Sequence, residues 1–205
     1  MAAGAIAPKP AKVGLCLTLL VLCLGIRPGG AAETFQLITG FVEIAERGRV
    51  PSYIILTESN RFTFLPPPGW NISHNASERK VTLVPKDLGA SLSFSILPAD
   101  TAAGKALSVE ELKDQLLVRF PDAKIVRDSP CFSGGNTGRA FDLERLVGKK
   151  SPVSMRVAIV PFQGGKLEFS LTAATPSFPK YQQTFGALLG SFQIEPASPS
   201  RTPKP

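Results

Sequence analysis

Three segments of strict period-two alternation constrain the fold more than any other feature of the chain. Leu92, Phe94 and Ile96 alternate with Ser91, Ser93 and Ser95, and Val153, Met155, Val157 and Ile159 alternate with Ser154, Arg156 and Ala158. Leu167, Phe169, Leu171 and Ala173 alternate with Lys166, Glu168, Ser170 and Thr172. Successive side chains of a strand point to opposite faces, so each segment predicts a half-buried antiparallel strand. Phe162-Gln163-Gly164-Gly165 joins the last two as a hairpin, and Gly148-Lys149-Lys150-Ser151 joins them to a strand over Gly138–Val147. Shorter strands are expected at Phe62–Leu65, Val81–Val84 and Lys124–Arg127.

Two segments have helical spacing instead. Val109, Leu112, Leu116 and Phe120 share one face, Ser108 and Glu111 form a capping box ahead of them, and Pro121 closes the helix. A second helix spans Phe178–Ser191, with Pro179 in its first turn and Tyr181, Phe185, Leu188, Leu189 and Phe192 forming a stripe that must be buried on the sheet. The order is three strands, helix, four strands, helix, without an internal repeat. It predicts an α+β domain: a single antiparallel sheet of about six strands with two main helices packed on it. Residues 33–52 suit helix or strand, because Phe35, Ile38, Phe41 and Ala45 fit one period and Phe35, Leu37 and Phe41 the other. The domain proper is placed at 53–195. Residues 196–205, rich in proline and serine, cannot bury anything and are expected to be a disordered tail.

The strand at Phe62–Leu65 runs into Pro66-Pro67-Pro68-Gly69-Trp70. Proline lacks the donor a ladder needs and glycine permits a reversal, so the strand stops and Trp70 folds back over the sheet edge. A strand ending in Pro-Gly-Trp, together with a last helix running into Leu189-Gly190-Ser191-Phe192-Gln193-Ile194, resembles the PsbP-like superfamily over about residues 53–195. The resemblance implies a non-enzymatic, extracytoplasmic domain that docks on a larger protein partner; the segment before Phe62 departs from the photosynthetic pattern, so a non-photosynthetic member is expected. Metal roles suggested for some relatives find no residues here, His74 being the only histidine.

At the amino end Lys9 and Lys12 precede an apolar run from Val13 to Ile26, and Gly29-Gly30-Ala31-Ala32 follows. The run is shorter than the roughly 20 residues of a spanning helix and ends in small residues, so residues 1–32 read as a signal peptide cleaved after Ala32. Leucine precedes both Cys16 and Cys23, which argues against a lipid anchor. Removal of the signal leaves Cys131 as the only thiol, so the domain must be held by packing, not by an internal disulfide. The net charge of +7 includes Lys9, Lys12 and Arg27 in the signal and Arg201 and Lys204 in the tail. Seven less these five leaves +2 for the domain, and its scattered cations do not form a nucleic-acid surface.

The residues that bear chemistry are few. His74, the only imidazole, lies in Trp70–Ser77, read as a polar turn, and no Gly-x-Ser-x-Gly elbow accompanies it. Cys131 reads as a partly buried thiol at a strand end. Asp142 and Glu144 fall on one face of their strand, too few for a calcium site, and solvent-facing ion pairs with Arg139 and Arg145 account for them. Ser133–Arg139 reads as a turn and lacks the lysine of a phosphate cradle. Asn71-Ile72-Ser73 and Asn75-Ala76-Ser77 match the glycosylation acceptor pattern. The sequence therefore predicts no catalytic, cofactor-binding or metal residues and no cofactor. The leading reading is an exported binding or scaffolding domain, periplasmic or secreted, with a protein partner. The alternatives are a carboxylate-dependent hydrolase using Asp142 and Glu144, and a membrane-anchored envelope protein that retains Val13–Ile26.

Overall fold

A computed structural model of the chain describes residues 34–99, 107–147 and 151–197, all within one compact unit, Glu33–Pro205. The predicted signal, residues 1–32, lies outside the described residues, as do residues 198–205 of the expected tail. The ambiguous segment is a hairpin: β1 (Gln36–Ile44) pairs antiparallel with β2 (Gly48–Leu56) across a turn with Glu46 at φ 69° and Gly48 at φ 67°. Five of the nine residues of β1 are β-branched or aromatic, which favours the strand over the helix that the spacing also allowed. β3 (Asn60–Phe64) ends where the prolines begin. Gly69 then takes φ 77°, and Trp70 opens β4 (Trp70–Asn75).

The next strands, β5 (Lys80–Pro85) and β6 (Ala90–Pro98), precede α1 (Val109–Arg119), whose capping box is intact: Ser108 Oγ accepts from the Glu111 N–H, and Glu111 accepts from the Ser108 N–H at 2.6 Å. Four strands follow: β7 (Ala123–Ser133), β8 (Asn136–Val147), β9 (Ser151–Phe162) and β10 (Gly165–Ala174). After α2 (Phe178–Ser191) the chain forms β11 (Gln193–Pro196), so Gln193–Glu195 are strand and Pro196 belongs to it rather than to the tail.

The strands make two sheets, not the single sheet of about six expected. The small sheet has the order β1-β2-β3-β11 and the large one β4-β5-β6-β10-β9-β8-β7, with every pairing antiparallel. The triple proline is the physical cause of the division. A chain without backbone donors over three residues cannot continue a ladder, so it leaves β3 in one sheet and enters β4 in the other.

Burial parity fixes the layers. Along β9, Ala158 and Val160 join a core with Leu92, Phe94, Leu167 and Phe169, beneath α2 and the small sheet. Val157 and Ile159 face the other way, into a second core with Phe141, Leu143 and the α1 residues Leu112 and Leu116. In the larger core Phe192 stacks on Phe64 of β3 at 5.3 Å between centroids and meets Phe94 and Phe169 edge-on at 4.9 and 5.0 Å. The predicted stripe of α2 is buried as expected, from Tyr181 through Phe185, Leu188 and Leu189.

Candidate functional site

One face of the large sheet is only partly roofed. α1 lies over β7, β8 and β9, where Phe141, Leu143, Met155, Val157 and Ile159 give it an apolar floor. Towards β10, β6, β5 and β4 the same face turns polar. Ser170 stands opposite Val157 across the β9–β10 pair and opposite Ser93 across β10–β6. Ser93 stands opposite Thr82, and Thr82 opposite Ser73. A row of four hydroxyl side chains, Ser170, Ser93, Thr82 and Ser73, therefore crosses four strands at one level. Thr172 and Ser91 form a second level, and Glu168, Ser95, Lys80 and Asn75 a third.

Strand spacing of about 4.8 Å makes this field about 14 Å across, somewhat wider than a single helix. None of its serines or threonines is buried, and among the described residues no helix or sheet covers it. At the border with α1, Arg119 donates to Glu168 at 2.7 Å, tying the end of the helix to the edge of the polar field. The alternation of β6 thus buries Leu92, Phe94 and Ile96 and presents Ser91, Ser93 and Ser95 on this open side.

The residues singled out for chemistry do not converge. His74 lies in β4, not in a turn, because Asn71–Asn75 pair with Lys80–Val84; its ring stacks on Phe35 at 6.5 Å. Asp142 is not paired with Arg139 or Arg145. Its partner is Arg156, directly opposite on β9, which donates through Nε and Nη2 to its two oxygens at 2.5 and 2.7 Å. That bond holds the guanidinium above its ordinary pKa, and both side chains are four-fifths or more shielded from solvent. Both oxygens of Asp142 are thus occupied by one guanidinium. Arg139 instead donates to Asp128 of β7, which Lys113 of α1 also reaches at 3.0 Å, and Glu144 is exposed.

Cys131 is half-buried in β7, and burial pushes its thiol up to about 11, which keeps it protonated and unreactive at neutral pH. Ser133–Asn136 make the β7–β8 turn, with Gly134 and Gly135 at φ 56° and 78°. Ser133 Oγ donates to the Leu189 carbonyl, so it is a structural hydroxyl. Among the described residues no cluster of three His, Cys, Asp or Glu side chains can hold a metal ion. A cavity of about 100 Å³ lies among Asn60, Phe62, Arg79, Ile96 and Phe162, below the several hundred Å³ of a small-molecule site. Trp70 packs edge-on against Tyr181, whose hydroxyl donates to Asp87 at 3.0 Å. Lys180 donates to the same carboxylate at 2.7 Å. The proline-rich corner is therefore structural.

No protein-family model and no curated protein matches the sequence. Solved structures do. The solution structure of cyanobacterial PsbP (CyanoP) from Synechocystis sp. PCC 6803 is 17% identical, with a TM-score of 0.53 over 86% of this chain and 99% of that one. The Ran-binding protein Mog1p of Saccharomyces cerevisiae is 10% identical, with a TM-score of 0.47 over 77% and 96%. LpqN, involved in cell envelope biogenesis of Mycobacterium tuberculosis, is 15% identical, with a TM-score of 0.45 over 78% and 92%. The chain has the PsbP-type fold, as the Pro-Gly-Trp corner and the last helix implied.

Proposed function

We propose that this protein is an exported, non-catalytic docking domain that binds a larger protein partner through the open hydroxyl-lined face beside α1. The observation that carries the reading is the change of character along that face. Where α1 sits, the floor is apolar; where no described helix or strand sits, its middle is lined by short Ser and Thr side chains that can donate and accept. Short side chains let a partner's backbone or helix approach closely, and hydroxyls supply both halves of a hydrogen bond. A face intended only for solvation is usually rich in Lys and Glu, whereas here Lys80, Lys166 and Glu168 lie towards one end and the levels of Ser170 and Thr172 carry no charge.

Export is supported by the basic, apolar and small-residue order of residues 1–32. The dispersal of His74, Cys131 and Asp142 supports a binding role over catalysis. The hydrolase reading would need Asp142 to act while both of its oxygens accept from Arg156.

The test replaces Ser93 and Ser170 with arginine. Both point away from the main core, so the double variant should unfold at a denaturant concentration close to the wild type's. The reading requires that a stoichiometric partner co-isolates with the wild type from the extracytoplasmic fraction and is lost from the variant. Equal recovery of the partner with both proteins would refute the site, and the absence of any partner would refute the function.

A further inference from the structure

The two sheets have four edges among the described strands, and three of them are blunted. β7 carries Lys124, Arg127, Asp128 and Pro130 and a register shift between Ile125 and Arg127. β11 is four residues long and ends in Pro196, and β4 is six residues long and mostly polar. Charge, proline, bulges and shortness are the devices that keep an edge from pairing with another chain. β1 has no proline or bulge and is not short, and its one charge, Glu43, lies next to its end. It is nine residues long and pairs in register with β2 throughout, and Gln36 and Glu43 are its only strongly polar side chains. The β1–β2 hairpin also overhangs the core: Phe41 is 57% and Ile38 42% exposed, with only the Arg49 guanidinium over the Phe41 ring.

We propose that β1 pairs antiparallel with β1 of a second copy, joining two small sheets into one of eight strands. A two-fold axis normal to the sheet keeps each side chain on its own face, so the register must centre on a residue. Centring on Gly40 pairs all nine residues and puts the one position without a side chain at the axis. Ile38 then meets Val42 of the partner copy twice, Thr39 meets Phe41 twice, and Glu43 faces Leu37, so no like charges oppose one another. Ile38, Val42 and Ile44, with Val50, Ile54 and Leu56 of β2, form the side of the small sheet opposite Leu37, Tyr53 and Ile55, which face the core. Gln36 and the buried Ser52 lie on that same side, and pairing extends it across both copies. Each copy uses its one unguarded edge, so assembly closes at two. A strand pair alone is a small interface, which places the association in the weak class.

The test uses the protein as its host processes it. Sedimentation at rising concentration should give a monomer–dimer equilibrium for the wild type, and Ile38→Lys, which installs a charge on the exposed edge, should abolish it while the unfolding midpoint holds. Register is read by cysteine pairing, because directly opposed β-carbons lie about 5 Å apart. Mixing Ile38→Cys protein with Val42→Cys protein should give a 38–42 interchain disulfide on oxidation, identified by peptide mapping, and neither alone should match its yield. A wild type that stays monomeric at high micromolar concentration, a dimer indifferent to Ile38→Lys, or disulfides formed equally by either variant alone would overturn the proposal. So would a dimer that the Ser93/Ser170 arginine variant disrupts and Ile38→Lys does not.

Discussion

Replacing Phe192 with alanine removes the side chain at which α2 and both sheets meet. Phe192 is 4% exposed and has aromatic neighbours on three strands: Phe64 in the small sheet, Phe94 and Phe169 in the large one. A buried Phe→Ala change costs about 3–5 kcal/mol through lost transfer energy and the cavity left behind. Aromatic pairs at these distances add about 0.5–1.5 kcal/mol each beyond area burial, part of which already sits within the first figure. We therefore expect about 4–5 kcal/mol, a third or more of the total stability of most domains. For a domain of this size each kcal/mol moves the melting temperature by about 2–4 °C, so Phe192→Ala should melt about 8–20 °C lower. Urea unfolding gives the energy, with Phe132→Ala as the control: Phe132 is 65% exposed and its truncation should change stability by about 0.5 kcal/mol or less. A loss below about 1.5 kcal/mol would refute the central place given to Phe192 in the core. A biphasic transition in the wild type would refute the packing of the two sheets as one cooperative unit.

Three further outcomes follow from local geometry. Ser108→Ala removes the α1 cap and should cost about 1 kcal/mol in urea unfolding, with Ser108→Gly costing less. Arg156→Ala leaves Asp142 shielded and unpaired and should cost about 2–3 kcal/mol, whereas the double replacement Arg156→Met with Asp142→Leu, which exchanges the ion pair for an apolar one, should recover most of it; a double-mutant cycle measures the coupling. The Lys180 hydrogen bond, aided by the Gly89 N–H and the Tyr181 hydroxyl, lowers the Asp87 carboxyl to about 2 from its ordinary 3.8. Because the folded pKa is the lower one, the stability it confers is complete above the ordinary carboxylate pKa and disappears as pH falls towards 2. Asp87→Asn should therefore be less stable than the wild type at neutral pH and should lose less on acidification, as read from melting temperatures across that range.

Much of the fold was legible because its signals are local. The Ser108–Glu111 box, the α2 stripe and the alternation of β6, β9 and β10 each need only a few residues of context, and the structure realises all of them. The division into two sheets was not legible, since it depends on which strands pair across the triple proline, a relation between segments that no periodicity encodes. The strand state of β1 was hidden by two competing periods, and β11 by its continuity with the helix stripe: Ile194 lies three residues past Ser191 and packs against the same core. For the candidate site, the serine alternation of β6 was visible. The row from Ser170 to Ser73 was not, because it is assembled by register across four strands. The true partner of Asp142 was hidden for the same reason, as Arg156 is fourteen residues away in sequence and directly opposite in space.

Whether the open hydroxyl face meets a protein partner is decided by placing a photo-crosslinking side chain at Ser93 and, as a control, at Gln183 on the exposed side of α2. Illumination of cells carrying each variant should give a discrete adduct of one mass from Ser93 and none of that mass from Gln183. The same adduct from both positions, or from Gln183 alone, would contradict the assignment of the face.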